Sequence, residues 1–123
     1  MTIKKAIDKA DRLRPNQYSE IEKVEWLSHF DKRVFQEVLL MAEENQGMEF
    51  AGYDENTNIE TELLIDDVYA DTYIEYLIAK YDYFNREMGM YNNSAVMFNN
   101  SYQEYKNWYR STHMPVQPSG RGV

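Results

Sequence analysis

Apolar residues recur at helical spacing along most of the chain and predict about four helices. The first apolar face runs from Ile3 to Leu13 at intervals of three and four residues, which is typical of a short amphipathic helix. Pro15 follows, and the residue before a proline is pushed out of the helical region. The pattern therefore predicts a first helix that ends before Pro15.

A second, longer apolar face extends from Ile21 to Met41. Ser19 and Glu22 form the sequence signature of a capping box, in which the two side chains satisfy free amides at the start of a helix. Gly47 is a plausible C-terminal stop. We expect a second helix of about six turns that begins after Ser19 and fades between residues 44 and 47.

Residues 45–66 interrupt the helical pattern. Gly47, Gly52 and Asp54 are turn-forming residues, and short apolar pieces lie at 48–50 and 62–65. These two pieces could pair as a hairpin. The sequence therefore predicts a long loop or a small β-hairpin excursion between helices 2 and 3, and a connection of this length is usually functional or mobile.

Two more apolar faces follow the excursion. Asp66 and Asp67 are suited to the start of a helix, because carboxylates there favour the helix dipole. An apolar stripe then covers residues 69–88, and turn-forming residues at 89–94 predict a break. Asn93 or Ser94 can cap a final helix, whose pattern ends at residues 111–115.

Aromatic residues dominate these last two helices. Tyrosine combines an apolar ring with a polar tip, so it suits surfaces that other protein covers. A chain this short needs only part of the aromatic stripe for its own core, so the stripe favours assembly. We predict a core that includes Leu27, Phe30, Tyr73, Leu77, Phe84, Phe98 and Tyr102. The candidates for contacts between subunits are Tyr76, Tyr83, Tyr105, Trp108 and Tyr109.

The composition fits one small, mainly α domain. The chain has 123 residues, 43% of them hydrophobic, and no cysteine, which excludes disulfides and thiolate metal sites. No apolar run approaches the roughly 18 residues of a membrane span, and the N-terminus lacks the pattern of a signal peptide. We expect a helical bundle over residues 1–114 and an extended C-terminal tail over 115–123, with no membrane contact.

The net charge of −8 is unevenly distributed. Residues 43–82 contain twelve acids and a single base, Lys80, whereas the remainder is slightly basic. Such segregation indicates a surface that repels phosphate or faces a basic partner; a solvated acidic loop is the simpler interpretation. The basic residues of the first helix, at 4–14, are diluted by acids, so they suit an acidic partner, such as residues 43–82 of a neighbouring copy, better than DNA.

No recognisable catalytic or cofactor motif is present in the sequence. His29 and His113 lack the partners of a catalytic or metal-binding set. Asp54 begins a stretch that imitates a calcium loop, but Ile59 stands where glycine is needed and Ile65 where glutamate is needed. We therefore predict no catalytic residues, no metal site, no cofactor and no enzymatic activity.

Several segments together resemble the head–tail adaptor (connector) proteins of long-tailed phages and prophages of Gram-positive gut bacteria. The resemblance covers nearly the whole chain. Its most specific parts are YNNS at residues 91–94 and THMP at residues 112–115. The segments are residues 13–18 (LRPNQY), 23–27 (KVEWL), 50–54 (FAGYD), 61–65 (TELLI), 73–77 (YIEYL), 91–99 (YNNSAVMFN) and 108–115 (WYRSTHMP).

The resemblance implies a structural virion protein at the head–tail interface, assembled in the host cytoplasm. Its copies would form a twelvefold ring beneath the portal protein, extend the channel through which double-stranded DNA passes, and support the stopper or tail-completion protein. Candidates for facing the channel or the next ring are Glu49, Asp54, Glu55, Glu60 and Glu62. Candidates for docking on the portal, by strand addition, are Met114, Pro115, Val116, Gln117 and Pro118.

Two other classes of function stay open at the level of sequence. A small acidic regulator, such as an antitoxin-like protein or a DNA-mimicking inhibitor, has a similar charge. An enzyme subunit that completes its site with a partner is the third possibility. Size and symmetry separate these classes, because a ring former gives annular particles and a DNA mimic stays small.

Overall fold

The computed structural model describes residues 1–117, which form a mainly helical bundle. The four α-helices are connected by a long loop between α2 and α3 and by short turns elsewhere. Three single-turn 3-10 helices accompany them, at Leu39–Met41, Glu43–Asn45 and Asp67–Tyr69. The α-helices are α1 (Ile3–Leu13), α2 (Glu20–Glu37), α3 (Asp71–Phe84) and α4 (Met88–Thr112).

Helix α1 follows the predicted pattern closely. Thr2 caps it by accepting a hydrogen bond from the Lys5 amide at 3.0 Å. Ile3, Ala6 and Ala10 are completely buried, so the apolar face found in the sequence is the face that packs on the bundle. The helix ends at Leu13, two residues before Pro15, as predicted.

Helix α2 begins with the predicted capping box. The Ser19 hydroxyl accepts from the Glu22 amide, and the Glu22 carboxylate accepts from the Ser19 amide, both at 3.2 Å. The helix ends at Glu37, so the prediction that it continues to Met41 was wrong. The chain tightens into 3-10 turns instead, and the Asn45 side chain donates to the Leu39 carbonyl at 2.9 Å.

Replacing Ser19 by alanine should lower the free energy of unfolding by about 1 kcal/mol, because the amide at the third helical position loses its acceptor. Replacing Ser19 by aspartate keeps an acceptor at the same place and should change stability by only a few tenths of a kcal/mol. Urea denaturation followed by far-UV circular dichroism measures both. Equal losses in the two variants would show that the cap does not stabilise α2.

The connection between α3 and α4 lies earlier than the turn-forming residues predicted. Helix α3 ends at Phe84, and Arg86, with φ of 60°, lets the chain reverse before α4 starts at Met88. Ser94 therefore caps nothing: it is buried inside α4, with its hydroxyl 2.9 Å from Asp82. Asp82 also pairs with Arg14 at 2.9 Å, so this buried carboxylate joins α1, α3 and α4.

The predicted core is confirmed with one exception. Leu27, Phe30, Tyr73, Leu77, Phe98 and Tyr102 are buried, as predicted. Phe84 is 48% exposed, so its assignment to the core was wrong. It is the last residue of α3, where the chain leaves the bundle, and its ring stacks on Trp26 at 5.3 Å near the surface.

Of the two alternatives for the excursion, the structure has the long loop. No hairpin forms between residues 48–50 and 62–65, and the described residues contain two isolated β-bridges, Thr2 with Glu62 and Ala42 with Pro115. The second half of the loop follows the start of α1 instead: the Ile3 amide donates to the Thr61 carbonyl at 3.0 Å. The loop is therefore attached to the bundle through α1 and α2.

Candidate assembly surfaces

Most of the aromatic residues that were candidates for subunit contacts lie inside the chain's own core. Tyr76, Tyr105 and Tyr109 are at most 7% exposed, and they offer a neighbour almost no surface. Trp108 is half-buried against Tyr69, with ring centroids 5.1 Å apart. The expectation that Tyr76, Tyr105 and Tyr109 are surplus to the core is therefore corrected, whereas Trp108 keeps part of its surface exposed.

Tyr83 is the one member of that set that the fold leaves half exposed. Its ring contacts Phe84 and Tyr91 edge-on, at centroid distances of 5.1 and 5.3 Å. Two of the buried tyrosines, in contrast, have polar partners for their hydroxyls: that of Tyr76 donates to the Trp26 carbonyl at 3.0 Å, and that of Tyr109 accepts from the Asn45 side chain at 2.8 Å. The Tyr105 hydroxyl is buried without a hydrogen-bond partner among the described residues. Helical spacing alone did not distinguish these two environments.

The exposed apolar surface is mainly aliphatic and sulfur-containing. The large apolar side chains that are more than a third exposed lie at the ends of α1 and α3, at the start of α2, along α4, between α2 and α3, and in the C-terminal segment. They are Leu13, Ile21, Met41, Met48, Val68, Tyr83, Phe84, Met88, Met90, Val96, Met97, Met114 and Val116. Methionine-rich surfaces adapt readily to partners.

Two grooves flank the N-terminal half of α4, and their chemistry differs. Met90 and Met97, two turns apart on one side of α4, line the first groove together with Leu13 and Ile78; we call it the methionine groove. Ala95 lies about 140° around α4 from Met90 and borders the second, the aromatic groove. The aromatic groove is lined by Arg33, Tyr76, Ala79, Lys80, Tyr83, Tyr91, Ala95, Phe98 and Asn99.

The acidic excursion is anchored to α2 by a buried carboxylate. Asp31, fully buried, accepts hydrogen bonds from the hydroxyls of Tyr53 and Tyr73, both at 2.5 Å. It also accepts from the amide of Leu64 at 3.0 Å. Burial raises the pKa of Asp31. Sequence reasoning missed this residue, although it is the one acid in the buried row of α2 that includes Leu27 and Val34.

All five acidic candidates in the excursion are exposed: Glu49, Asp54, Glu55, Glu60 and Glu62. Asp54 forms a local turn, because its carboxylate accepts from the Asn56 amide at 2.8 Å. This turn accounts for the calcium-like spacing of oxygens. Among residues 1–117, no group of three or more metal-ligating side chains is positioned to hold an ion.

The basic residues of α1 lie beside the acids of their own chain. Lys4, Lys5 and Lys9 border a shallow surface that also includes Glu60, and Lys4 forms a 2.6 Å ion pair with Asp8. An acidic partner from a neighbouring copy would compete with these contacts. The acids at the apex of the excursion have no such partner: Asp54 and Glu55 form no ion pair with the part of the chain described.

The C-terminal segment pairs with its own chain. The Glu43 amide donates to the Met114 carbonyl at 2.8 Å, and the Val116 amide donates to the Met41 carbonyl at 3.0 Å. The backbone of Met114, Pro115 and Val116 is thus engaged in a short antiparallel contact, and strand addition to a portal would use other groups or displace this one. Gln117 is exposed, and Pro118 lies outside the described residues.

The two histidines occupy structural positions. His29 is exposed on α2. His113 follows the end of α4, where its ring stacks on Tyr109 with centroids 3.6 Å apart and lies 3.3 Å from the Glu44 carboxylate. The Thr112 hydroxyl lies 3.0 Å from Nδ1 of His113 and is also within hydrogen-bond distance of the Trp108 and Tyr109 carbonyls.

Comparison with known proteins gives no match to a family model, to a curated protein or to a solved structure. None of the helices within residues 1–117 has the length and apolar character that crossing a bilayer requires.

Proposed function

We propose that this chain is a structural subunit whose copies form a ring beneath the portal of a long-tailed phage and join the head to the tail. The observation that carries the proposal is the pair of unlike grooves on the two sides of α4. A subunit in a ring contacts its two neighbours through different faces. The methionine groove and the aromatic groove provide two such faces. The first is lined by apolar side chains together with Arg14 and Glu75, and the second is aromatic with Arg33 and Lys80 at its rim.

The acidic excursion suits a surface past which DNA moves. Glu49, Asp54, Glu55, Glu60 and Glu62 are all exposed. Carboxylates repel the phosphates of DNA, so this surface lacks the cation–phosphate contacts that produce non-specific binding. In the proposed assembly these side chains face the channel or the ring below, where the stopper or tail-completion protein binds. The virion location and the passage of double-stranded DNA belong to the same proposal.

The portal contact is assigned to the C-terminal segment. Its described part, up to Gln117, has exposed side chains at Met114 and Val116, while the backbone contacts residues 41–43. The attachment consists of two hydrogen bonds around one bridge, and such a short contact stabilises the segment little. We propose that the segment exchanges this contact for one with the portal.

The proposal is tested by mixing the purified chain with the portal protein encoded in the same genome and imaging the product by negative-stain microscopy. We expect annular particles whose symmetry matches that of the portal. Met97→Glu, which places a charge in the methionine groove, should abolish the rings, whereas Asn92→Glu, on an exposed part of the same helix, should not. A chain that stays monomeric with and without the portal would favour the small acidic regulator instead.

A further inference from the structure

Lys80 is a half-buried cation without an ion-pair partner in the described part of the chain. Its ammonium lies 5.5 Å from the centre of the Tyr76 ring, on the wall of the aromatic groove. Burial lowers the pKa of Lys80. Residues 43–82 contain twelve acids, and Lys80 is the single base among them.

The rest of the groove suits a carboxylate on a short carbon chain. Arg33 provides a second cation at the rim, 4.9 Å from the Tyr102 ring and paired with Glu37 at 2.8 Å. Tyr83 and Tyr91 line one end of the groove with aromatic edges. An anion bound here would gain a charge-assisted contact with Lys80, and its carbon atoms would cover exposed aromatic surface.

The chain itself presents a matching group at the apex of the acidic excursion. Asp54 and Glu55 are exposed and form no ion pair within residues 1–117. The apex is held in place, because the Tyr53 amide donates to the Ser28 hydroxyl at 2.9 Å and its hydroxyl donates to Asp31. A preorganised loop loses little conformational entropy when it binds.

Gly52 holds the excursion close to α2. Its φ of 85° is left-handed, and a Cβ atom built there would lie 2.4 Å from the Ser28 hydroxyl oxygen. A glycine is therefore required for this close approach. The apex acids begin two residues later, after Tyr53, whose amide donates to Ser28, so the backbone holds them near α2.

The apex cannot reach the groove of its own chain. Asp31 and Ser28 face the excursion, whereas Arg33 borders the groove and lies about 200° around α2 from Asp31. The excursion and the groove with Arg33 therefore lie on opposite sides of this helix, and Lys32 lies beside Gly52 on the side of the excursion. A contact between them joins two copies through unlike faces, which produces a ring or a filament.

We propose that the aromatic groove binds the acidic apex of a second copy, with Lys80 facing Asp54 and Glu55 of that copy. The contact is heterologous, and each chain offers one groove and one apex. This inference rests on the proposed ring in one respect, namely that neighbours in the ring use this contact. Asp54 and Glu55 then face the neighbouring subunit, which leaves Glu49, Glu60 and Glu62 to face the channel or the next ring. Charge complementarity selects the second copy as the occupant, because the same chain carries both halves of the pair.

Charge reversal on each side of the contact tests the inference. Sedimentation velocity at low salt, over a wide range of protein concentrations, measures self-association. Lys80→Glu alone, and Asp54→Lys together with Glu55→Lys, should each weaken association by about tenfold or more, because like charges then meet. Arg12→Glu matches the charge change of Lys80→Glu, and Glu25→Lys together with Glu104→Lys matches that of the double reversal. All three control positions are exposed.

Mixing the two charge-reversed chains gives a more decisive test. An equimolar mixture of the two reversed chains should associate nearly as the unchanged protein does, because every groove then meets an apex of opposite charge. Lys80→Met, which keeps the carbon stem, should weaken association without affecting the circular dichroism spectrum. The inference is overturned if single reversals associate normally, if the mixture fails to recover, or if the unchanged chain stays monomeric at every concentration.

The two experiments distinguish a failure of the groove-to-apex contact from a failure of the proposed function. Rings that form with the portal and are indifferent to both reversals would support the adaptor and refute the groove-to-apex contact. Self-association that follows the charge pattern, together with a failure to form rings with the portal, would support the contact and refute the adaptor.

Discussion

Replacing Phe30 by alanine is expected to lower the free energy of unfolding by about 3–5 kcal/mol, which is the usual cost of removing a buried aromatic side chain. Phe30 is 1% exposed and lies where three helices meet. Its ring stacks on Tyr76 of α3 at 4.7 Å and contacts Phe98 and Tyr102 of α4 edge-on, at 5.2 and 5.1 Å. The cavity left by alanine would border all three rings.

The neighbouring residue provides the control. His29 is exposed on the same helix, so His29→Ala should change stability by no more than about 0.5 kcal/mol. Urea denaturation at neutral pH measures both variants. A loss below about 1 kcal/mol for Phe30→Ala would mean that the surrounding rings collapse into the space.

The same substitution links the core to the proposed contact between copies. Tyr76 and Phe98 line the aromatic groove as well as touching Phe30. If the groove binds a second copy, loosening these rings should also weaken self-association under conditions in which the variant is still folded. A fully associating Phe30→Ala chain would show that the groove does not depend on the core beneath it.

The helices could be predicted from the sequence because each has one continuous apolar face. Only α1 and α2 also have a local start signal, since α3 and α4 begin without a side-chain cap. The side-chain hydroxyls of Thr2 and Ser19 cap α1 and α2, because each accepts a hydrogen bond from the backbone amide three residues later. The end of α2 was predicted too late, because Val38 continues the apolar pattern and is fully buried while the backbone has already left the α-helix. Periodicity indicates burial, and Val38 is buried at the C-cap position, although the following 3-10 turn at Leu39–Met41 has no fully buried residue.

Ser94 shows why a local signal can mislead. Asn-Asn-Ser is typical of a helix start, yet Ser94 contacts Asp82, twelve residues earlier. Asp82 needs polar partners because it is buried between helices, and this requirement is set by tertiary packing. The true connection, at Arg86, contains no glycine or proline to mark it.

The aromatic stripe was interpreted as more than the core of one chain could bury. Periodicity shows which residues share a helix face, but it does not show how many faces of each helix are covered by other helices of the same chain. In the fold, α4 packs along α3, and their rings fill the space between them and α2. Tyrosine tolerates this burial when its hydroxyl finds a partner. Tyr81 donates to Asp11 at 2.8 Å, and Tyr109 accepts from Asn45 at 2.8 Å.

The burial of Asp31 could have been predicted from the sequence. Val24, Leu27, Val34 and Val38 form a buried row at intervals of three and four residues, and Asp31 occupies the central position of that row. An acid in an apolar row predicts a buried carboxylate with dedicated donors. The donors themselves, Tyr53 and Tyr73, come from distant parts of the chain and could not be identified without the fold.

Replacing Asp31 by alanine should therefore lower the free energy of unfolding by about 3 kcal/mol or more. The buried Tyr73 hydroxyl, the partly buried Tyr53 hydroxyl and the Leu64 amide would lose their acceptor, and an unsatisfied buried donor costs about 1–3 kcal/mol. Asp8→Ala, at an exposed position of α1, should cost no more than about 1 kcal/mol. Thermal and urea denaturation measure the difference.

The excursion should also come loose in the Asp31→Ala chain. Tyr53 and Leu64 lie within it and lose their contact with α2, so its backbone amides should exchange with solvent faster than those of α4. Hydrogen exchange followed by mass spectrometry resolves the two regions. Unchanged protection of residues 50–65 would show that Gly52 and the contacts with α1 suffice to hold the loop.

The pH dependence of this effect has a definite sign. Because burial raises the pKa of Asp31, the folded chain holds a proton on this carboxyl more tightly than the unfolded chain does. The resulting stabilisation is complete below the ordinary pKa of 3.8 and is lost as the pH rises through the raised value. Asp31→Asn has a similar shape and does not titrate, so it isolates this contribution from that of the other carboxylates.

We therefore expect the free energy of unfolding of the unchanged chain, minus that of Asp31→Asn, to fall as the pH rises from below 4 towards neutrality. Urea denaturation of both chains across that range measures the difference at each pH. A difference that increases with pH would mean that the two tyrosine hydroxyls and the Leu64 amide stabilise the carboxylate by more than burial disfavours it. The carboxyl would then be charged in the folded chain over the whole range, and the loop would be attached by an anion.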